Sequence, residues 1–357
     1  MEEEHSSSSF KIGETPQERG FSYVPDCYVI PSSHRPSSAP ETAFVPTIDW
    51  GMLRQDAAQR TSVIKQVGNA CRRLGFFQIV NHGISQSIMD GALSTAFDFF
   101  ELPMKEKVKH MSNDIYKPVR YGTGLKDGED KVQFWRVFLK HYANPLTDWI
   151  HLWPNNPPHY RENMGKYCGE VRNLALELMG VITESLGLGP TYNHITNKIE
   201  NGVQVIAVNY YPPCPNPDIA LGLPPHSDYS CFTLVLQSST GLEIANREDS
   251  SKWQVIPEQR GALEVHVGDH VEVLSNGIYK SVVHRATLHS SRKRVSIASL
   301  HSLGMDDKMG VAKELVDEEN PPGYKESSFR DFLNFLSKND IAEGKSFIDS
   351  IRINKNI

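Results

Sequence analysis

The chain predicts an α+β protein, on three observations. Helical periodicities occupy its first half. From Val203 onward the texture changes to short, turn-bounded strand patterns, and helices first with strands later fits α+β. Seven or more such strands at this spacing suggest an antiparallel sandwich or barrel. At 357 residues the chain can hold one large or two modest domains and bury a substantial core.

Residues 1–44 are rich in Ser, Glu and Pro and are expected to be loose until the chain enters a body near Val45. From Thr61 to Leu74, Val63, Val67, Cys71 and Leu74 fall on one helical face, with Gly75 as a C-cap. Phe76 to Val80 then reads as a short buried strand ended by Asn81-His82-Gly83, where His82 is structural. A second helix, about Ile88 to Phe100, stops before Pro103. Glu162 to Leu186 is the strongest helix, because Tyr167, Val171, Leu174, Leu178 and Ile182 repeat every three or four residues. It is expected to brace the sheet from behind.

Val203 to Tyr211 alternates, placing Val205, Ala207, Asn209 and Tyr211 on one face. Strands are then expected at Phe232 to Gln237, Trp253 to Ile256, Leu263 to Val267, His270 to Leu274, Ser281 to His284 and Arg294 to Leu300. Asn276-Gly277 signals a hairpin turn between two of them, and Gly268 and Gly277 would permit positive φ.

Composition excludes several roles. The chain is 39% hydrophobic and 22% charged with a formal charge of −6, whereas nucleic-acid binding calls for a basic face. No apolar run approaches the roughly 20 residues of a membrane helix. The acidic start, Met1-Glu2-Glu3-Glu4, is unlike a secretory or transit peptide, so a cytoplasmic location is expected. Cys27, Cys71, Cys168, Cys214 and Cys231 are odd in number without a C-x-x-C pair, which indicates neither a disulfide framework nor a zinc-thiolate site.

The chemistry centres on Pro225-His226-Ser227-Asp228 and Val283-His284-Arg285. In a strand, alternate side chains share a face, so His226 and Asp228 would converge on one point, and the distant His284 can complete a facial set. Two neutral imidazoles and one carboxylate, with the opposite face open, suit a non-haem Fe(II) oxygenase. Fourteen histidines make chance matches easy. Zinc also accepts such a set, but the chain shows no H-E-x-x-H helix. Arg294-Val295-Ser296 adds a second signal, since a strand would point Arg294 and Ser296 to one side, a guanidinium fork beside a hydroxyl. The alternative is a solvated basic strand end, as Arg292 and Lys293 lie beside it. A metal triad beside a carboxylate anchor reads as an oxygenase with a 2-oxo acid cosubstrate.

Longer stretches carry a resemblance. Leu74-Gly75-Phe76-Phe77-Gln78-Ile79-Val80-Asn81-His82-Gly83, Asn209-Tyr210-Tyr211-Pro212-Pro213-Cys214-Pro215, Gly222-Leu223-Pro224-Pro225-His226-Ser227-Asp228, Gly268-Asp269 with Leu274-Ser275-Asn276-Gly277, and Tyr279-Lys280-Ser281-Val282-Val283-His284-Arg285-Ala286 resemble the plant 2-oxoglutarate/Fe(II)-dependent dioxygenases of specialised metabolism. The similarity runs in order from about Val45 to Leu303, and its finer pattern is similar to the flavanone 3-dioxygenase-like and melatonin 2-hydroxylase-like subgroup.

The resemblance implies a double-stranded β-helix (jelly roll) core with N-terminal helices and a long bracing helix. It divides the chain into a flexible segment (1–44), an N-terminal dioxygenase region (45–160), the bracing helix and linker (161–200), a jelly-roll domain (201–303) and a helical tail (304–357). It implies Fe(II) held by His226, Asp228 and His284. 2-Oxoglutarate would be held by Arg294, Ser296, Tyr211 and Asn209, although Tyr211 can equally be a core tyrosine. Ascorbate is the implied reductant. The substrate would be a small phenolic, indole or alkaloid metabolite, hydroxylated by a monomer with release of succinate and CO2. Demethylation, desaturation, a 2-oxo-acid-independent oxidase and a catalytically dead binding protein are the alternatives. Tyr121, Phe134, Phe138 and His301 are the candidate substrate contacts. Many members of that family carry a phenylalanine after the Arg-x-Ser strand where this chain has Leu300-His301.

Overall fold

The computed structural model describes residues 21–37, 40–124, 132–189, 193–339 and 345–353. Its strands are β1 (Glu41–Thr42), β2 (Thr47–Asp49), β3 (Phe76–Val80), β4 (Val119–Gly122), β5 (Val137–Tyr142), β6 (Gln204–Tyr211), β7 (Leu223–His226), β8 (Phe232–Gln237), β9 (Leu242–Ala245), β10 (Trp253–Val255), β11 (Leu263–Val267), β12 (His284–Ala286) and β13 (Arg294–His301). The helices are α1 (Ala57–Arg73), α2 (Gln86–Glu101), α3 (Met104–Lys107), α4 (Leu146–Trp149), α5 (Tyr160–Ser185), α6 (Asn193–Glu200), α7 (Asp269–Leu274), α8 (Phe329–Lys338) and α9 (Phe347–Ile351).

The strands form an eight-stranded sheet, β2-β3-β11-β8-β13-β6-β5-β4, and a five-stranded sheet, β1-β10-β9-β12-β7, with no closed barrel. The pairing is antiparallel except β1 with β10 and β2 with β3. This is the expected α+β jelly roll. Strand alternation sets its interior. On β13, Val295 and Ile297 enter the main core, while Arg294, Ser296, Ala298 and Leu300 face a cavity lined by both sheets. The long helix α5 buries Tyr167, Val171, Leu174, Leu178 and Ile182, the expected stripe, and packs against α1, α2 and β13. Gly75 caps α1 at φ 68, and an added Cβ would lie 2.2 Å from the Lys280 carbonyl oxygen, so only glycine fits. None of the five cysteines, all of them among the described residues, forms a disulfide. No helix of the described residues is long and apolar enough to cross a membrane.

Several local expectations differ from the structure. His270 to Leu274 is helical (α7), because every residue of the segment is buried and apolar spacing carries no facing information there. Asn276 (φ 50) and Gly277 (φ 79) end that helix rather than turn a hairpin, with the Gly277 N–H donating to the Glu272 carbonyl. Gly268 has φ −99; its requirement is close approach, since a Cβ would meet the Ser230 carbonyl oxygen at 2.3 Å. The strand expected at Ser281 to His284 begins only at His284, and β9 was not anticipated. Residues 21–37, within the segment expected to be loose, pack onto the body. Val24 and Tyr28 bury against Trp135, Cys214 and Ala220, and Ile30 against Phe134 and Leu221, so a few apolar residues outweigh a polar average. Residues 1–20 lie outside the described residues.

The C-terminal helices reach back to the sheet. Tyr229 stacks on Phe332 of α8 with ring centroids 4.6 Å apart, meets Phe347 of α9 at 5.0 Å, and its hydroxyl lies 3.0 Å from Ser327 Oγ.

Three histidines outside the cavity, His141, His270 and His301, are fully buried, and burial pushes each down to about 3. Below about pH 6.5 the unfolded chain takes up protons at these sites while the folded chain does not. Their contribution should therefore lower stability as pH falls from about 6.5 toward about 3 and vanish above that window. Urea midpoints measured across the window should fall less steeply in His301→Gln than in the wild type; equal slopes would show that His301 titrates freely in the fold.

Candidate metal centre

β7 and β12 are adjacent and antiparallel, with His226 directly opposite His284, so their rings meet at a centroid distance of 4.2 Å. Asp228 lies just past the end of β7 rather than on it, contrary to the expected shared strand face. The loop returns its carboxylate to the same point. The Asp228 carbonyl accepts from the amides of Ser230 (3.1 Å) and Asp269 (2.9 Å), which fixes the turn. Ligand atoms of His226, Asp228 and His284 all lie within 4.8 Å of one another. Each imidazole turns Nδ1 to the carbonyl two residues earlier, His226 to Pro224 (2.8 Å) and His284 to Val282 (3.2 Å). That contact holds the proton on Nδ1 and leaves Nε2 as the donor toward the centre. Both Nε2 atoms face Asp228 Oδ1, at 3.6 and 3.8 Å.

Electrostatics agree with a ligand set. Burial pushes His226 below the ordinary imidazole range and His284 well below it, so both are neutral and able to ligate. For Asp228 burial acts upward, but His284, His226, His266 and a hydrogen bond from Thr233 together hold it below the usual carboxylate range. A half-buried carboxylate between two neutral imidazoles, with Nε2 lone pairs inward, fits a divalent ion.

The ligands open onto a cavity of about 200 Å³ whose walls include Asn209, Tyr211, Arg294 and Ser296. The Arg294 guanidinium lies over the Tyr211 ring, 4.8 Å from its centroid. Its Nε donates to the Ser239 carbonyl at 3.0 Å and one terminal nitrogen to Gln237 Oε1 at 2.7 Å. The remaining Nη1 is buried with no hydrogen-bond partner among the described residues. A guanidinium held on one side and open on the other is suited to a carboxylate. Asn209 Oδ1 accepts from Arg136 Nη1.

Of the four candidate substrate contacts, Phe134 lines this cavity and three do not. Tyr121 faces the opposite side of β4 and packs on Phe99 in the main core. Phe138 lies on the inward face of β5, opposite Asn209, but the guanidinium groups of Arg136 and Arg120 cover its ring at 5.0 and 5.1 Å. His301 points away from the cavity into the buried side of β13, hydrogen-bonded to Ser299 and stacked on Phe232, and alternation brings Leu300 to the cavity instead. The sequence reading missed Gln237, which holds Arg294, and Glu264 and His266, of which His266 lines the cavity. The last two carry a readable signal, since polar residues alternate with Leu263, Val265 and Val267 on β11.

Comparisons with known proteins agree with this geometry. Residues 202–302 match the 2OG-Fe(II) oxygenase superfamily, and residues 45–158 match the family described as non-haem dioxygenase in morphine synthesis N-terminal. Flavanone 3-dioxygenase 3 of Oryza sativa subsp. japonica is 47% identical, over 91% of this chain and 98% of the relative. From the same plant, 2-oxoglutarate-dependent dioxygenase 21, chloroplastic, is 48% identical over 90% of this chain and 94% of its own. The crystal structure of JOX2 in complex with 2OG, Fe and JA superposes with a TM-score of 0.81 at 30% identity, covering 94% of this chain and 95% of that one.

Replacing a ligand tests the centre directly. His226→Ala, Asp228→Ala and His284→Ala should each weaken binding of a single divalent ion by at least about a hundredfold, because even outer partners of metal ligands are worth about ten- to a hundredfold. Calorimetric titration with Mn(II) reads this, and wild-type affinity in any folded variant removes that residue from the set.

Proposed function

Because the chain belongs to the plant 2-oxoglutarate/Fe(II)-dependent dioxygenase family, we propose that it hydroxylates a small specialised metabolite of phenolic, indole or alkaloid type at the His226–Asp228–His284 centre. The family uses Fe(II) and 2-oxoglutarate and acts on small molecules with dioxygen. One observation carries the residue assignment: the triad and the open Nη1 of Arg294 line the same cavity.

Iron and 2-oxoglutarate, when bound, supply the oxidising chemistry, in which 2-oxoglutarate is converted to succinate and CO2 as the substrate is oxidised. The protein supplies geometry. His226, Asp228 and His284 would hold the ion, which supplies the site for 2-oxoglutarate and dioxygen. Arg294 and Ser296 hold the far carboxylate of 2-oxoglutarate, with Tyr211 and Asn209 beside them on β6. Phe134, Pro224 and Leu300 contribute apolar wall that excludes water and accommodates the substrate. In this reading residues 201–303 carry the reaction, 161–200 brace it, and 45–160 and 304–357 cover it. The enzyme would act as a cytosolic monomer, with ascorbate as reductant and without nucleic acid or membrane, although one relative is labelled chloroplastic.

A screen of candidate metabolites with the Fe(II)-loaded enzyme should find one that elicits succinate in step with its own oxidation. Oxidation without succinate would instead mark a 2-oxo-acid-independent oxidase. Arg294→Lys keeps the charge but loses the planar fork. It should raise the KM for 2-oxoglutarate about ten- to a hundredfold, the equivalent of about 1.5–3 kcal/mol for a charge-assisted contact. An unchanged KM would contradict the anchor.

A further inference from the structure

Behind the triad lies a second row of polar groups, of which His266 reaches the cavity. His266 and Glu264 project from β11 on the face opposite Leu263, Val265 and Val267, and both are almost fully buried. Asp228 turns Oδ1 toward the two triad imidazoles, whereas Oδ2 faces His266 Nδ1 at 3.9 Å. The other nitrogen of His266 faces Glu264 Oε2, also at 3.9 Å. Glu264 Oε1 accepts from Gln237 Nε2 at 2.6 Å, and Gln237 Oε1 accepts from Arg294 at 2.7 Å. Thr233, paired with His266 across β8 and β11, hydrogen-bonds the Asp228 carboxylate as well. The residues thus form a row of neighbours from Asp228 to Arg294, hydrogen-bonded from Glu264 onward and at 3.9 Å on either side of His266.

Both ring nitrogens of His266 and Oε2 of Glu264 are buried with no hydrogen-bond partner among the described residues. Unsatisfied polar atoms in a protein interior are costly, and a strand interior such as β11 packs better with apolar side chains. The contacts at 3.9 Å are about an ångström longer than a hydrogen bond and lie at the limit of ion-pair distance. Asp228 also needs such a partner. It sits on a loop rather than a strand, so its backbone alone does not set the plane of its carboxylate, and outer hydrogen bonds do that for metal-ligating carboxylates.

We propose that His266 and Glu264 are positioning residues of the iron centre: His266 orients the free oxygen of Asp228, and Glu264, through Gln237, ties that orientation to the 2-oxoglutarate anchor Arg294. The inference rests on the iron reading above. It makes metal affinity and 2-oxoglutarate affinity depend on residues that touch neither.

His266→Leu and His266→Asn separate positioning from packing, because both fill similar space but only the amide can donate to Asp228. In calorimetric titrations, His266→Leu should bind Mn(II) about tenfold more weakly than the wild type, and His266→Asn should recover most of that loss. Glu264→Leu should retain Mn(II) affinity within about threefold yet weaken 2-oxoglutarate about tenfold, read from the visible charge-transfer absorption of the anaerobic Fe(II) protein. Equal Mn(II) affinity in the wild type, His266→Leu and His266→Asn overturns the role of His266. Unchanged 2-oxoglutarate affinity in Glu264→Leu overturns the relay, and this arm decides alone if His266→Leu does not fold. Should the wild type itself bind no Mn(II), the iron reading fails first and the inference falls with it; failure confined to the variants leaves the iron reading standing.

Discussion

Holding a carboxylate and two imidazoles together away from water is the constraint on which the rest of the structure depends. An Asp228 largely withdrawn from water is expensive without compensation, and its neighbours supply it: two Nε2 atoms within 4 Å of Oδ1, a third histidine near Oδ2, and a hydrogen bond from Thr233. The pairing of β7 with β12 makes the arrangement possible, since directly opposed strand positions bring two side chains together without a long reach. The facing sheets then keep bulk solvent from the set, which strengthens every interaction inside.

The same pleat that gathers the ligands also separates their support from the core. Along β13, one face delivers Arg294, Ser296, Ala298 and Leu300 to the cavity and the other delivers Val295 and Ile297 to the interior behind it. β6, β8 and β11 repeat the pattern with Asn209 and Tyr211, Val235, and His266. β13 is packed against α2 and α5, and β6 against α2, so rigidity at the site follows in part from apolar packing behind it.

Much of this was legible in the residues. The alternation of Val205, Ala207, Asn209 and Tyr211 placed one wall, and the period of α5 placed the brace. The triad was legible as residue types at a spacing, but its backbone was not: Asp228 reaches the centre from a loop, through amide contacts with Ser230 and Asp269 that no local pattern announces. α7 escaped because a wholly buried segment has no polar face to reveal its period. Phe138 and His301 were misplaced for two different reasons. Arg120 of β4 and Arg136, two residues earlier on its own segment, cover Phe138, whereas one step of strand register decides between His301 and Leu300.

The contact between Tyr229 and the C-terminal helices has an implication for the order of assembly. The residue beside the aspartate is clamped by Phe332 and Phe347, which lie in parts of the chain made after both sheets. On the ribosome the two imidazoles can meet as soon as β12 pairs with β7, yet the loop carrying the carboxylate lacks its outer support until α8 and α9 emerge. Until α8 and α9 are in place, the loop that carries the carboxylate therefore lacks the aromatic clamp on Tyr229 that the finished fold supplies.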